Sequence, residues 1–250
     1  MGIRTLVAML VVALVVIGAL ATQESYKVFM PGLLQGAVLT IEIAILGSLL
    51  AIVMGVLAAL ARMYGPAPLK LLATVYVEIF RGTSALVQLF WLFFVLPQFG
   101  VTLNAFLVAV LALGLNVGAY GSEVVRGAIQ SVARGQWEAS TALNMSRPQM
   151  LRRIILPQAF VAMIPPWGNL FIELLKSTAL VSLITLSDLA FKAQQMNQNT
   201  FKTIPIFTLV LLMYLAMSLV VTIGMRLLER RASLGLARGR QHDLGLGICF

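Results

Sequence analysis

Nine acidic side chains, one histidine and one cysteine are the versatile chemical groups of this 250-residue chain, and their spacing limits what chemistry it can do. Glu78 and Arg81, Glu123 and Arg126, and Glu173 and Lys176 each stand three residues apart. On a helix that spacing puts both groups on one face, where they can form an ion pair. Glu42 has no basic residue near it in the sequence. His242 and Cys249 lie in a polar tail, as residues without a role, so no histidine pair or Cys/His pair can hold a metal inside the apolar part. The motifs H-E-x-x-H, G-x-S-x-G and G-x-x-x-x-G-K-[ST] are all missing. The chemistry left is recognition of charge by charge in apolar surroundings, with no metal, cofactor or covalent step on this chain.

Those surroundings are a membrane. Apolar residues make up 60% of the chain and charged ones 11%, against roughly a quarter charged in a soluble protein. The mean hydropathy is +0.96. Several apolar runs reach the ~20 residues that a spanning helix needs. A soluble enzyme, a disordered chain and a disulfide scaffold are excluded. The expected fold is all-α: a polytopic helical bundle of five core spans plus an N-terminal apolar segment.

Six apolar stretches follow one another: 6–21, 33–61, 71–96, 103–120, 166–186 and 205–228. The first follows Arg4 and ends in Ala19-Leu20-Ala21, which suits a cleavable signal peptide and a short uncleaved anchor equally. The second ends before the breaker Gly65-Pro66-Ala67-Pro68, and Pro97 is expected to stop the third. The fourth is expected to continue as a helix through Glu123 and Arg126. Residues 1–22 therefore form a signal-like segment, 31–230 the spanning domain and 231–250 a tail.

Threading the spans alternately places fourteen of the eighteen Lys and Arg on one side or its edge, and three, Lys27, Lys192 and Lys202, on the other. Lys176 stays embedded. Basic residues collect in cytoplasmic loops, so the crowded side, with the C-terminus, is expected to be cytoplasmic. That bias explains the net charge of +9 without nucleic acid.

Most connections are short, but residues 126–157 form a long loop with helical pattern and no run able to span. Loops of this length are usually functional. Trp137–Leu143 is rich in helix formers, Asn144 tolerates the left-handed conformation that ends a helix, and Ser146 with Gln149 fits a capping box. Pro148 falls in a first turn, and Pro157 is expected to bend the chain back to the membrane. The product is a helical elbow suited to a partner's groove.

Within the elbow, Glu138-Ala139-Ser140, three residues, Asn144, nine residues and then Ile154-Ile155-Leu156-Pro157 resemble the E-A-A-x3-G-x9-I-x-L-P loop of permease subunits in binding-protein-dependent ABC importers. Ser140 and Asn144 depart from that pattern. Glu78-Ile79-Phe80-Arg81-Gly82-Thr83, Glu123-Val124-Val125-Arg126-Gly127, Pro165-Pro166-Trp167-Gly168-Asn169 and Leu174-Leu175-Lys176-Ser177-Thr178 resemble the polar amino acid permeases of that family. The likeness covers about residues 31–230. Residues 180–195 carry a faint likeness to permeases for compatible solutes such as ectoine.

The resemblance implies a bacterial inner-membrane subunit working by alternating access. It implies two ATP-binding subunits, a second permease subunit (identical or similar) and an extracytoplasmic solute-binding protein as partners, with membrane lipid around them. The loop 134–157 would be the coupling helix, with Glu138, Ala139, Ser140, Asn144, Arg147, Ile154, Leu156 and Pro157 meeting the ATPase. Glu138 equally suits a helix-supporting acid, and Arg147, Arg152 and Arg153 equally serve orientation. Glu78/Arg81 and Glu123/Arg126 read as structural ion pairs. Glu173/Lys176 reads as an ion pair or as pathway lining, because unpaired charge inside a membrane is costly. Glu42 would meet a solute ammonium or a distant base. Asn169, Gln88 and Asn116 suit helix–helix hydrogen bonds, Asn169 also the pathway, and Gly114-x3-Gly118 suits close packing within the chain or between subunits. Two rivals remain: an ion-gradient-driven secondary transporter, which often carries inverted repeats not seen here, and an intramembrane enzyme, which lacks its motifs.

Overall fold

The computed structural model describes residues 2–245. Cys249 lies outside the described residues, as does the side chain of His242. Every regular element among them is helical: α1 (Ile3–Thr22), α2 (Glu24–Lys27), α3 (Met30–Tyr64), α4 (Ala67–Gly82), α5 (Ala85–Phe90), α6 (Ala105–Gln130), α7 (Arg134–Ala142), α8 (Arg147–Met150), α9 (Leu156–Ser177), α10 (Leu189–Thr200) and α11 (Thr203–Gly245). Five helical stretches are long and apolar enough to cross a membrane, and a sixth crossing results if α4 and the segment from α5 to Phe99 form one broken span. The protein is a multi-pass membrane protein.

The core is built around α6, which packs along α3 with glycines at the contact. A Cβ on Gly114 would lie 3.0 Å from the Gly47 carbonyl oxygen, and one on Gly118 3.2 Å from that of Ala51. Without a hydrophobic force between lipid-embedded helices, such close backbone approach provides the van der Waals contact that holds them. The Gly114-x3-Gly118 face is therefore spent inside the chain rather than between subunits. Trp167 of α9 fills the space over Gly55 and Gly121 and closes the cluster.

The third apolar stretch is not one straight helix: α4 and α5 meet at 107°. Gly82 and the extended Thr83 and Ser84 break it. Exposed carbonyls cannot be left unpaired in lipid, and side chains satisfy these. Gln88 Nε2 donates to the Phe80 carbonyl (3.0 Å) and to Thr83 Oγ1 (2.6 Å), while Asn116 Nδ2 of α6 donates to the same Phe80 carbonyl (2.9 Å) and to Gln88 Oε1 (3.1 Å). Both residues form the hydrogen bonds between helices expected of them. Asn116→Leu keeps the volume but removes two of these bonds. It is expected to cost about 1–3 kcal/mol, read as a lower melting temperature of the purified protein.

The third stretch does end at Pro97, in a short 3₁₀ turn (Leu96–Phe99) closed by left-handed Gly100, whereas the bend expected at Pro157 is absent, and a wider turn precedes each proline. Trp91–Val95 and Leu151–Ile155 each form a π turn, closed by Leu96 N–H on the Trp91 carbonyl and by Leu156 N–H on the Leu151 carbonyl. A proline lacks an N–H and its ring crowds the carbonyl four residues back. Widening the preceding turn relieves both conflicts at Pro97 and Pro157. Pro157 therefore does not bend the chain back: α8, the π turn and α9 run on as one stretch from Arg147 to Ile184. Pro165 and Pro166 also sit within α9.

The elements define two ends. The elbow α7–α8, the end of α3, the start of α4 and the start of α1 share one end, since Gly2 and Ile3 line a cavity with Arg226 and Glu229 of α11. The far end carries α2 and α10. There Asp188, fully buried, caps α10 by accepting from the N–H groups of Phe191 (2.9 Å) and Ala190 (3.3 Å). Burial pushes its carboxyl up to about 6, against the opposing pull of those N–H groups.

Candidate functional site

The elbow is built by local hydrogen bonds. Helix α7 ends in a left-handed residue, Asn144 (φ 56°). Asn144 N–H donates to the Thr141 carbonyl (2.9 Å) and Met145 N–H to the Ser140 carbonyl (3.1 Å), the paired closure of a Schellman turn. The departures from the family pattern are thereby accommodated. Asn is the side chain other than glycine best suited to that conformation, and the Ser140 hydroxyl, buried, donates to the Gln136 carbonyl (2.6 Å). The second arm starts at Ser146, whose N–H and hydroxyl both donate to Gln149 Oε1 (3.1 and 3.0 Å). Asn144→Gly is expected to raise stability slightly, whereas Asn144→Val should lose about 1–2 kcal/mol by forcing a branched residue left-handed. Thermal melting of the two variants checks this.

One face of the elbow is anchored and the other free. Trp137, Met145, Leu151 and Ile154 pack against the core, with Met150 and Ile155 buried. Glu138, Ala139, Arg147, Arg152, Arg153 and Leu156 are exposed, and Pro157 is half-buried. Leu143 is 74% exposed between the two arms. Sequence reasoning passed over Leu143, although an apolar residue at the end of a polar-faced helix is a signal available without coordinates. An exposed acid, a low alanine surface and one protruding leucine on a rigid stem make a small key for a complementary groove.

The embedded charges are placed differently from expectation. Glu123 and Arg126 do pair, Arg126 Nε lying 2.9 Å from Glu123 Oε2. Glu78 and Arg81 do not: Arg81 reaches across to Glu123 (3.3 Å), and Arg62 joins them (2.6 Å). Glu78 is exposed and makes no ion pair among the described residues. A distant carboxylate already held by two cations attracts Arg81 more than its own neighbour does. Glu173 and Lys176 likewise make no ion pair among the described residues, and both are exposed on α9.

Instead of facing the interior of the single chain, which α6 fills with small side chains, the polar residues stand on its outside. Asn169, Glu173 and Lys176 repeat at helical spacing along one exposed stripe of α9, and Glu42 is exposed on α3. Asn169 also lines the elbow-end cavity of about 450 Å³, with Pro165, Gly168, Thr222, Arg226 and Glu229. Charge at bilayer depth costs about 2.5–3.5 kcal/mol when left to lipid, so this outer surface is built to be covered by something polar.

Residues 51–234 match the family model described as the binding-protein-dependent transport system inner membrane component. The chain is 54% identical over 160 residues to the probable amino-acid ABC transporter permease protein y4tF of Sinorhizobium fredii, covering 62% of this chain and 67% of that one. It is 41% identical to the L-cystine transport system permease protein TcyB of Bacillus subtilis (81% and 87% covered). It is 36% identical to the glutamine transport system permease protein GlnP of Escherichia coli (80% and 93%). Among solved structures, an amino acid ABC transporter with histidines superposes with a TM-score of 0.77 at 35% identity, covering 81% of this chain and 95% of that one. The inward-facing methionine transporter MetNI shares the fold, with a TM-score of 0.68 at 20% identity over 81% and 97% of the two chains. A family match over most of the chain, in a range that includes the elbow, makes this protein a member of the inner-membrane permease components of binding-protein-dependent ABC transport systems.

Proposed function

We propose that the chain is the permease subunit of an ATP-driven importer that carries a polar amino acid, or a related small zwitterion, across the bacterial inner membrane. The observation that carries this reading is the rigid elbow with its exposed Glu138–Leu143 face, standing at the family spacing on a continuous stem into α9. Two ATP-binding subunits hold that face from the cytoplasm, and their closure on ATP moves the stem and alternates access. Glu138, Ala139, Ser140, Asn144, Arg147, Ile154, Leu156 and Pro157 form the coupling contact or its support, with Leu143 added as the apolar anchor.

A second permease subunit covers the exposed stripe of α9 and the Glu42 face of α3. The pathway then runs between the two copies, where Glu42 and Glu173 meet a solute ammonium and Lys176 and Asn169 a carboxylate. An extracytoplasmic binding protein delivers the solute to the far end. The names of the relatives, glutamine and L-cystine permeases among them, support a polar amino acid. The elbow end, the N-terminus of α1 and the C-terminus lie in the cytoplasm.

Vesicles containing the chain with its ATPase and binding protein test this. Uptake of radiolabelled amino acids should require both ATP and the binding protein. Uptake that survives ATP depletion and collapses with the ion gradient would replace this reading with a secondary transporter.

A further inference from the structure

Glu173 and Lys176 are the only charged residues of α9, and the single chain gives neither a counter-charge. Both are exposed, and neither makes an ion pair among the described residues, with each other or with any other side chain. Packing fixes their depth. A Cβ on Gly47, midway along α3, would lie 3.4 Å from the Leu174 side chain. Glu173 therefore stands near half the height of the bundle, and Lys176 less than one turn further towards the far end.

The face around them is not made for lipid. Helix α3 exposes large apolar side chains along its length, from Leu34 to Leu60, whereas the chain exposes none between Phe160 and Leu183. Among the exposed residues of α9, Ala162, Pro166, Asn169, Glu173 and Lys176 follow one another at intervals of four, three, four and three. That is the seam spacing of two helices packed side by side. A seam that carries one acid and one base is complementary to itself, as the interface of a two-fold dimer must be.

We infer that this stripe is the seam between two copies of this chain, in which Glu173 pairs with the partner subunit's Lys176 and Lys176 with the partner subunit's Glu173. Both copies cross the membrane in the same sense, so their α9 helices run parallel about the two-fold axis. The two members of each pair then differ by three residues, about 4.5 Å along the helices, a step that the four-carbon stem of lysine spans. Each pair occurs twice, so all four charges are matched at a depth where unmatched charge is costly. A different permease would have to bring its own acid and base to the same heights, whereas a second copy has them by symmetry. On the pathway reading above, on which this rests, the crossed pairs close the seam when solute is absent. A zwitterion entering it offers its ammonium to Glu173 and its carboxylate to Lys176 in place of the partner subunit's groups.

The test uses the full chain, co-expressed in two differently tagged forms with its ATPase, with Cys249→Ser removing the native thiol. Glu173→Cys on one form and Lys176→Cys on the other should give a crosslinked dimer with a short bis-maleimide, and Val12→Cys on both, at the exposed face of α1, should not. A form with Glu173→Lys carries two bases on its seam, and one with Lys176→Glu carries two acids. Each should co-purify with its own kind at least tenfold less than with the other, because only the mixed dimer sets bases against acids. Equal co-purification in every combination would overturn the crossed pairs. Wild-type forms that never co-purify with each other, each bound instead to a different permease, would overturn the second copy. Should the charge variants fail to fold, the crosslink decides, and its absence overturns the seam. The ATP and binding-protein dependence of wild-type uptake is read separately, so the seam can fail while the transport reading stands.

Discussion

Glu138→Arg is expected to leave the protein folded and in the membrane but to abolish ATP-driven uptake. The side chain is exposed near the middle of α7 and makes no ion pair among the described residues. Its replacement should therefore change stability by no more than ~0.5 kcal/mol. At a docked face the result is different. Reversing a charge that meets a basic groove puts like charges together at a cost of several kcal/mol, and ~3 kcal/mol already lowers affinity for the ATPase roughly a hundredfold. Two measurements separate these effects: the melting temperature of the isolated chain, and the amount of ATPase retained on it during purification. Normal retention with full uptake would remove Glu138 from the coupling contact. A fall in melting temperature with normal retention would return it to the bland role of an acid supporting its own helix.

The elbow was legible because its determinants are local. A residue tolerant of left-handed conformation followed by Ser-x-x-Gln describes a helix end and a helix start without reference to the rest of the chain. Asn144 and Ser146 play those parts. The break in the third span was passed over although Glu78, Arg81 and Gly82-Thr83-Ser84 interrupt its apolar run; what makes the break tenable is not local, since Gln88 and, 36 residues from Phe80, Asn116 take the Phe80 carbonyl. The same limit explains Arg81. A three-residue spacing nominates Glu78 as partner, but Glu123 lies 42 residues away in sequence and wins by geometry. Arg62 was read only as an orientation charge, and nothing local tells that it completes the cluster. At Pro157 the local rule gave a bend, and a π turn one step earlier removed the need for it. The embedded charges show the deeper reason for failure. Their spacing was read as if one chain were the whole bundle, whereas Glu42, Glu173 and Lys176 lie on a surface that one chain leaves bare.

Glu42 gives the sharpest test of what covers that surface. It lies well inside α3, a stretch of 35 residues that is otherwise apolar from Ala37 to Ala61 apart from Thr40 and Ser48. Left against lipid it would cost a few kcal/mol, so a partner must pair with it in the assembled transporter. If that partner is the solute's ammonium, Glu42→Gln keeps the shape and a hydrogen bond but loses the charge. Uptake should then fall at least tenfold at low solute, chiefly through a raised KM, since a hydrogen bond to a charged group contributes about 1.5–3 kcal/mol. The amount of assembled transporter should be unchanged, because removing an embedded charge eases insertion rather than hindering it. If the partner is instead a base on the second subunit, the same substitution leaves that base unpaired in the membrane. Assembly would then decline while the KM of the surviving transporter stayed normal. Measuring transporter yield and KM together therefore distinguishes a pathway carboxylate from an interfacial one, and a variant normal in both would show that Glu42 serves neither.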